Sequence, residues 1–383
     1  MTSGNQAILF LTSWYPVQSN PTHGIFIKNH AIALSHFQEV VVVYAYGCNN
    51  GSYFNIEHKN VNENLTEYII KYPKSSGIFK TLNSFLNYRK AHKLLIQHLQ
   101  QKKINAKAIQ INVIFPVAIV LSLYKKIFKV KHTIVEHWSG YLPDDNAYKG
   151  WILKYFTKKC ISSASKIWYV SEWQKAAMNM AQLSGNYELL YNAVNTKVFT
   201  LKTKQPERIK LLHVSSLVEK EKNISGTFRV IKKLKEANYD FDFVVAGGQG
   251  DELEAAKKLA KQMMIDIIFT GNLAPEKINE LMQNSSALVL FSNYEGMPVV
   301  VLEALSCGLP VFASEVGQLP FFVREDFGVL IKKNNEKELF KSLEKLVQGK
   351  YSFNPNSMRE FVVKHASYEA VGKQLNEFYK NLN

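Results

Sequence analysis

Short runs of apolar and β-branched residues alternate with amphipathic segments along most of this chain, and this alternation restricts the folds open to it. The run AILFLTSW is followed by a loop, by the helically spaced segment IFIKNHAIALSHF and by a second run, EVVVVYAYG. Continuous apolar runs of this kind are typical of strands that are buried on both faces of a parallel sheet. The order predicts an α/β fold with doubly wound parallel sheets.

The alternation stops at a polar segment and then restarts, which divides the chain into two halves. TLKTKQPER, residues 200–208, is polar and contains a proline, and IKLLHVSSL then begins a second series. A length of 383 residues also suits two domains. We predict Rossmann-like domains at residues 1–199 and 200–365, with a final helix at 366–383 that packs back on the first domain.

The chain is strongly basic, with 47 Lys and Arg against 32 Asp and Glu and a formal net charge of +15. Such an excess can reflect nucleic acid, an anionic membrane surface or acidic small molecules as partners. A solvated basic surface is the simplest explanation, and peripheral contact with an anionic membrane is the next. We expect no nucleic-acid partner, because no DNA- or RNA-binding signature accompanies the lysines. Steeply salt-dependent binding to any duplex would support that alternative.

The N-terminal residues and the cysteines indicate the compartment. The start, MTSGNQAILFLTSWYP, lacks the features of a signal peptide, and the longest apolar run has 12 residues. A membrane span needs about 20 residues, so we predict no transmembrane segment. Three widely separated cysteines form no disulfide framework or metal spacing. A cytoplasmic protein is expected, with peripheral contact at the inner face of the membrane as an extension.

A strand, a tight turn and a helix are predicted in ALVLFSNYEGMPVVVLEALSCG, residues 287–308. Pro298 suits the first position of the helix, where its missing N–H costs nothing. The helix is expected to end near Gly308, a typical residue after a helix C-terminus. Ligands bind beyond the carboxyl ends of strands in open α/β sheets, and the free N–H groups of a helix start favour anions.

Two carboxylates flank the start of this helix. Glu295 lies in the turn, and Glu303 lies roughly 7 Å further along the helix axis at about 1.5 Å per residue. A carboxylate on an apolar helix needs partners, which the paired hydroxyls of a ribose would supply. The spacing points to a nucleotide-sugar, with ribose on Glu303, diphosphate at the helix start and sugar beside Glu295. The alternative is a structural Glu303 paired with a lysine and a solvated Glu295.

The sequence around these glutamates, SNYEGMPVVVLEALSCGLPVFASEVG, closely resembles the signature of the family 4 retaining glycosyltransferases, which have the GT-B fold. SWYPVQSNPTHGIFIKNHAIAL resembles the N-terminal glycine loop of that family, with Gly24, and TIVEHWSG resembles its strand that ends in a histidine, His137. KIWYVSEWQKAAM, LLYNAVNTKVF and VVAGGQGDE resemble further stretches, the last with Gly248 in its turn. Together these pieces extend from residue 8 to about residue 345.

The resemblance implies two Rossmann-like domains that face each other across a cleft, and transfer of a sugar from a nucleotide-sugar donor with retention at the anomeric carbon. It implies no metal and no other cofactor, because the nucleotide-sugar is a substrate. The catalytic residues would be His137, which reaches the sugar or the acceptor hydroxyl, and Glu295, which positions donor hydroxyls during front-face attack. A satisfied structural histidine remains the alternative for His137.

The donor site follows from the same resemblance, with two departures. The implied donor-binding residues are Gly24, Lys222, Gly248, Glu295, Gly296, Met297, Pro298 and Glu303. The family usually has an Arg and then a Lys after the first strand of its second domain; here Ser216 replaces the Arg, and Lys222 matches the Lys better than Lys220 does. Gln318 and Phe321 replace a later Gly and Glu, so no acidic role is assigned there.

The acceptor is the least determined partner. By resemblance it is a glycan or a lipid-linked molecule, used in building a cell-surface polysaccharide. A long helix from about Phe79 to Lys103 has basic flanks and could lie on a membrane that carries such an acceptor, or it could be a core helix. Its apolar face is predicted to comprise Leu82, Phe85, Leu86, Leu94, Leu95 and Leu99.

Two other functions remain open. A nucleotide-sugar 2-epimerase shares the two-domain fold, and epimerised donor in the absence of acceptor would identify it. A non-catalytic nucleotide-sugar-binding protein would also fit the missing arginine, and tight donor binding without turnover would identify that.

Overall fold

The computed structural model describes residues 6–50, 52–76, 80–143, 145, 147–202 and 207–382. The chain divides into two compact units, Met1–Ala193 with Tyr368–Asn383, and Val194–Ser367. The chain passes from the first unit to the second between residues 193 and 194, whereas the sequence predicted this boundary between residues 199 and 200. Residues 196 and 199 belong to the second unit because Arg359 donates to the Thr196 carbonyl at 2.7 Å and Ser306 to the Phe199 carbonyl at 2.7 Å.

One sheet of eight strands organises the first unit, in the order β3-β4-β2-β1-β5-β6-β7-β8. All neighbouring pairs are parallel except β3 with β4. The central strands are buried, as their continuous apolar runs predict. The strands are β1 (Gln6–Thr12), β2 (Val40–Cys48), β3 (Ile56–Asn62), β4 (Leu65–Pro73), β5 (Asn105–Asn112), β6 (His132–Glu136), β7 (Ile167–Tyr169) and β8 (Tyr187–Leu189).

Helices cover both faces of this sheet. They are α1 (Ile25–Ser35), α2 (Lys80–Gln101), α3 (Leu121–Phe128), α4 (Trp151–Ser162) and α5 (Glu172–Met180). Buried residues of α2, α3, α4 and α5 share one apolar core, whereas α1 contributes to a separate core on the other face. The first half of the chain therefore has the doubly wound arrangement that the alternation predicts.

The predicted apolar face of the long helix is wrong at two positions. Leu82 and Leu86 are 56% and 53% exposed, whereas Leu95 and Leu99 are buried. Helix α2 packs on β2 and β4 through a stripe that also includes Tyr88. At 3.6 residues per turn, Leu86 lies nearly opposite this stripe and Leu82 lies on its flank, so neither faces the sheet. The predicted start at Phe79 lies outside the described residues.

The second unit is built on a six-stranded parallel sheet in the order β11-β10-β9-β12-β13-β14. The chain builds outward from β9 to one edge and then returns to add β12 on the other side of β9. This reversal creates a topological switch point between β9 and β12, where crevices form in open α/β sheets. The strands are β9 (Lys210–Ser215), β10 (Asp242–Gly247), β11 (Ile268–Gly271), β12 (Ala287–Leu290), β13 (Val311–Ser314) and β14 (Gly328–Ile331).

The helices of the second unit connect these strands. They are α6 (Glu219–Lys222), α7 (Ile224–Glu236), α8 (Gly250–Met263), α9 (Pro275–Gln283), α10 (Val299–Ser306), α11 (Glu336–Val347) and α12 (Pro355–His365). Both units thus contain a Rossmann-like sheet, which is parallel throughout in the second unit and parallel except for the β3–β4 pair in the first, and the predicted α/β fold class is confirmed. Within the predicted linker, residues 203–206 lie outside the described part of the chain.

The last helix, α13 (Tyr368–Lys380), belongs to the first unit. It packs against α1, and its Tyr379 is fully buried. The Tyr379 hydroxyl donates to Gln110 Oε1 at 2.8 Å and lies 2.7 Å from Thr133 Oγ1. The end of the chain is therefore anchored to β5 and β6 by a buried polar cluster.

None of the helices in the described ranges is long and apolar enough to cross a membrane.

Candidate functional site

The loops that follow β9 and β12 are joined directly at the switch point. The backbone N–H of Asn293 donates to the Glu221 carbonyl at 2.7 Å, and its side-chain amide donates to the Lys220 carbonyl at 3.0 Å. Because β9 and β12 are parallel neighbours, both loops leave the sheet at its carboxyl edge. The two segments that the sequence singled out separately thus form one surface.

Lys222 and Glu295 form an ion pair in this surface. Lys222 Nζ lies 2.6 Å from Glu295 Oε1, and the side chains are only 15% and 8% exposed. Ser292 Oγ also donates to Glu295 Oε1, at 2.7 Å. Because Glu295 is buried, the alternative in which its side chain is solvated is excluded. Of the two candidate lysines, Lys222 is the one that faces Glu295, whereas Lys220 Nζ lies 5.9 Å from the Tyr294 ring centre.

Helix α10 begins directly after the turn that holds Glu295, Gly296 and Met297. Pro298 is its N-cap and Val299 its first residue, one position later than the sequence predicts. Gly308 follows the helix with a φ of +67°, which confirms the predicted C-terminal glycine. The backbone N–H groups of the first turn of α10 therefore lie next to the Lys222–Glu295 pair.

Glu303 is partly buried on α10. Within the described ranges its carboxylate forms no hydrogen bond and no ion pair, so the predicted structural partner lysine is not observed. Burial raises the pKa of this carboxyl group to about 7. A carboxylate that is removed from water without a partner is costly, and ligand hydroxyls would offset that cost.

Gly317 holds the loop after β13 against this turn. Its φ is +61°, and a Cβ at this position would lie 2.2 Å from the Glu295 carbonyl oxygen and 2.5 Å from that of Gly296. The N–H of Gln318 donates to the Gly296 carbonyl at 2.9 Å. The glycine therefore allows the loop after β13 to lie directly against the Glu295–Gly296 backbone.

A buried histidine that the sequence did not single out supports the loop after β9. His213 Nδ1 lies 2.9 Å from the Val289 carbonyl oxygen, and His213 Nε2 lies 2.7 Å from Ser215 Oγ. The same Ser215 hydroxyl oxygen accepts a hydrogen bond from the Leu217 N–H at 3.1 Å. Burial lowers the pKa of His213 to about 4, so the ring is neutral, with Nδ1–H donating to the carbonyl. The available signal was a histidine inside the otherwise apolar run IKLLHVSSL.

Gly248 lies directly after β10, and its N–H donates to the Ser215 carbonyl at 3.0 Å. The turn after β10 is therefore fixed to the end of β9. Ser216, which replaces the arginine of the family pattern, is exposed in the loop after β9.

In the first unit, Gly24 is the N-cap of α1 with a φ of +71°. A Cβ there would lie 2.8 Å from the carbonyl carbon of Trp14 and 2.9 Å from its oxygen. The glycine thus allows close contact between the loop before α1 and the backbone after β1. No other residue type would fit without displacing one of these segments.

His137 follows β6 and is almost fully buried. Its ring centre lies 4.3 Å from that of Phe26 and 5.4 Å from that of His30. Burial and then the neighbouring His30 lower the pKa of His137 well below its usual value, so the ring is neutral. Across the described residues its Nε2 has no hydrogen-bond partner. An unsatisfied buried nitrogen of this kind is a position where a ligand hydroxyl could bind.

Glu136, which the sequence did not single out, fixes the backbone at His137. The N–H groups of His137 and Trp138 donate to Glu136 Oε1 at 2.8 and 2.9 Å, and Ile114 N–H donates to Oε2 at 3.1 Å. Burial raises the pKa of Glu136, and these hydrogen bonds oppose that rise.

The predicted site residues therefore fall into two groups. One group surrounds the switch point of the second unit: Lys222, Gly248, Glu295, Gly296, Met297, Pro298 and Glu303. The other group, Gly24 and His137, lies in the first unit. In the described ranges, no group of three or more His, Cys, Asp or Glu could hold a metal ion.

Comparison with known proteins identifies relatives of this chain. Residues 197–366 match the family described as glycosyl transferases group 1. An uncharacterized glycosyltransferase of Methanocaldococcus jannaschii, MJ1178, is 26% identical over 236 residues, 61% of this chain. The Vi polysaccharide biosynthesis protein of Salmonella typhi is 29% identical over 146 residues, 34% of this chain. The matched region spans less than two thirds of the length of these relatives: 64% of the first protein and 25% of the second.

Solved structures share the whole fold at low sequence identity. Sucrose-phosphate synthase from Thermosynechococcus elongatus has a TM-score of 0.78 at 16% identity, over 98% of this chain and 99% of that protein. HepE of Anabaena, solved with UDP and glucose, has a TM-score of 0.71 at 16% identity, over 98% and 100%. Both similarities establish the GT-B fold. The family match is confined to residues 197–366, and this part of the chain is similar to the group 1 glycosyl transferases.

Proposed function

We propose that this protein is a retaining glycosyltransferase that binds a nucleotide-sugar in its second unit and transfers the sugar to a glycan or a lipid-linked acceptor. The observation that carries the proposal is the unpartnered Glu303 carboxylate on α10, beside the Lys222–Glu295 pair at the β9–β12 switch point. The group 1 family match covers all three residues.

Each part of a nucleotide-sugar has a matching group in this surface. The paired ribose hydroxyls would donate to Glu303, which otherwise lacks partners. The diphosphate would lie at the N–H groups that begin α10, near the Lys222 ammonium. Both contacts of Glu295 use Oε1, so Oε2 would accept from donor-sugar hydroxyls. The structure of HepE with UDP and glucose supports this class of donor.

The reaction requires stabilisation of negative charge on the leaving phosphate. Lys222 and the start of α10 supply fixed positive charge and dipoles, so we propose a mechanism that needs no metal. In front-face attack the acceptor hydroxyl approaches on the side of the leaving group, and the departing phosphate oxygen takes its proton. Glu295 then positions the sugar and does not attack it. The neutral His137 would hold a sugar or acceptor hydroxyl through Nε2.

The acceptor and pathway are proposed from the relatives. The Vi polysaccharide biosynthesis protein is a relative by sequence. We therefore propose that the acceptor is a growing glycan or its lipid carrier, and that the product contributes to a cell-surface polysaccharide. A cytoplasmic location of the enzyme follows from the use of a nucleotide-sugar and forms part of the proposal.

A thermal-shift screen tests the donor site. The protein is heated with UDP, GDP, ADP, CMP and their common sugar conjugates, because a ligand that binds only the folded state raises Tm. We expect one base to raise Tm in the unaltered protein and in Glu276→Ala, an exposed control on α9, but not in Glu303→Ala. If no nucleotide raises Tm, or if Glu303→Ala responds like the control, the proposed donor site is wrong.

Turnover with the donor identified in that screen tests the role of Glu295. Glu295→Gln keeps a side chain that can bind sugar hydroxyls but removes the charge and the ion pair with Lys222. We expect kcat/KM to fall by roughly a hundredfold or more, since the oriented charge is lost from a buried site. Nearly full activity would argue against an essential charge. Tight donor binding without turnover in the unaltered protein would instead favour the non-catalytic alternative.

A further inference from the structure

Three helices on one face of the first unit carry only positive charge. Helices α2, α3 and α4 contain four, two and three Lys or Arg residues and no Asp or Glu. Their buried residues share one apolar core, so the three helices form a single layer on the sheet. The whole chain has 32 acidic residues. Helix α5, whose buried residues belong to the same core, carries Glu172 beside Lys175, so the acid-free part of this layer consists of α2, α3 and α4.

Helix α4 adds large apolar side chains to this charge. Trp151 is 77% exposed and Tyr155 is 54% exposed, although Cys160 on the same helix is buried. At 3.6 residues per turn, Trp151, Tyr155 and Lys158 lie on the same side of the helix, away from the core. Trp and Tyr next to Lys on one helix face are typical of helices that lie in a membrane–water interface.

Further exposed apolar residues lie on the other two helices of the layer. Leu82 and Leu86 of α2 and Ile127 of α3 are exposed. Between α3 and α4 lies a cavity of about 140 Å³, whose lining includes Leu121 and Phe156 as well as Lys125 and Lys159. The apolar walls of this cavity suit an acyl chain, and its two ammonium groups suit the anionic headgroup of a lipid.

We propose that the outward surface of α2, α3 and α4, here called the basic helical face, binds an anionic lipid bilayer, with Trp151 and Tyr155 entering the headgroup region. The occupant follows from charge complementarity: an anionic surface satisfies a layer of nine basic residues, and its interface accepts exposed aromatic rings. From the sequence, the long helix α2 could lie on a membrane or be a core helix, whereas α4 is the principal element of this proposal. This inference goes beyond the proposed function and does not depend on it.

Vesicle binding without any nucleotide tests the inference on the full chain. The protein is mixed with vesicles of phosphatidylcholine alone, or of phosphatidylcholine with phosphatidylglycerol, and then sedimented. We expect binding only to the second kind, and roughly a hundredfold weaker partitioning when three lysines of α4 are replaced, at about fivefold for each lysine. The variant is Lys154→Ala with Lys158→Ala and Lys159→Ala; the control is Lys337→Ala with Lys341→Ala and Lys345→Ala, three exposed lysines of α11.

Tryptophan fluorescence shows whether α4 itself enters the interface. We expect anionic vesicles to shift the emission to shorter wavelength in the unaltered protein and in Trp173→Phe, which removes an exposed tryptophan of α5. The shift should disappear in Trp151→Phe. Absence of binding to anionic vesicles would overturn the proposal, as would equal losses in the two lysine variants. Displacement from the vesicles by duplex RNA or DNA, through the same lysines, would instead identify a nucleic-acid surface.

A separate control keeps this inference distinct from the donor site. Glu303→Ala should bind anionic vesicles like the unaltered protein, because Glu303 lies in the second unit. Loss of donor binding with vesicle binding retained would contradict only the proposed function. Loss of vesicle binding with donor binding retained would contradict only the membrane inference.

Discussion

The two carboxylates of the candidate donor site, those of Glu295 and Glu303, have different environments. Glu295 is neutralised by Lys222 at 2.6 Å, whereas Glu303 has only burial acting on it and its pKa is raised to about 7. Near neutral pH, Glu303 therefore exchanges between a protonated form and a charged form. Ribose hydroxyls bind the charged form more strongly, because hydrogen bonds to a carboxylate are charge-assisted. The donor site should consequently respond to pH.

We expect donor affinity to fall by roughly tenfold from pH 8 to pH 6, because the ionised fraction of a group with a pKa of about 7 falls by that factor. Isothermal titration with the intact nucleotide-sugar measures it, since a nucleoside diphosphate has a terminal phosphate that itself titrates near pH 6. Glu303→Gln is the control: its weaker affinity should not change with pH. A flat profile in the unaltered protein would show that the charge of Glu303 is not used.

Among the structural elements, the loops at the carboxyl edge of the second sheet determine where the site residues lie. The loop after β9 is bound to that after β12 through Asn293, and the loop after β13 contacts the Glu295–Gly296 backbone at Gly317. Three loops thus support one another. A small change in one of them should move the turn that holds Glu295.

Gly317→Ala tests this mutual support. A Cβ there meets two carbonyl oxygens at 2.2 and 2.5 Å, so the turn must move, and we expect donor affinity to fall at least tenfold. Gly349→Ala is the matched control, since Gly349 has a φ of +69° with nothing within 4 Å of the added Cβ. Both variants should lose about 1–2 kcal/mol of unfolding free energy from left-handed backbone. Equal donor affinity in the two variants would show that the loop contact does not position the site.

At the scale of the whole molecule, the chain passes from the first unit to the second and then ends in the first. Helix α13 completes the layer on the α1 face of the first sheet and buries Tyr379 between Gln110 and Thr133. The stability of the first unit therefore depends on residues that follow the second unit in sequence. The two units cannot be separated by a single cut without exposing part of the α1 core.

Tyr379→Phe tests how strongly α13 stabilises the first unit. The change removes one hydroxyl and leaves the Gln110 and Thr133 side chains without that partner, so we expect a loss of about 1–3 kcal/mol. Hydrogen exchange should show faster opening in β5 and β6, whereas amides of β9 and β12 should not change. The control is Tyr155→Phe, since Tyr155 is exposed. Equal exchange in both variants would mean that the buried cluster adds no stability.

Much of the fold and some of the site could be predicted from the sequence, because the signals involved are local. The apolar runs identified most strands, and the turn with Glu295, Pro298 and Gly308 has the local form expected. The wrong apolar face of α2 arose because Leu82 and Leu86 are hydrophobic yet lie away from the sheet. Which side of a helix is buried depends on the element that covers it, and the composition of the helix alone did not determine this.

The sequence by itself determined the doubly wound class, the two-part organisation and the strand–turn–helix with its two glutamates, because burial pattern and turn chemistry act over a few residues. The resemblance favoured Lys222 over Lys220, but only the tertiary structure showed that Lys222 faces Glu295, since those partners are 73 positions apart. The tertiary structure also decided that His213 and Glu136 support the loops, and that three acid-free helices lie on one face of the first sheet. Such contacts depend on strand order and packing, and short-range propensity does not encode them.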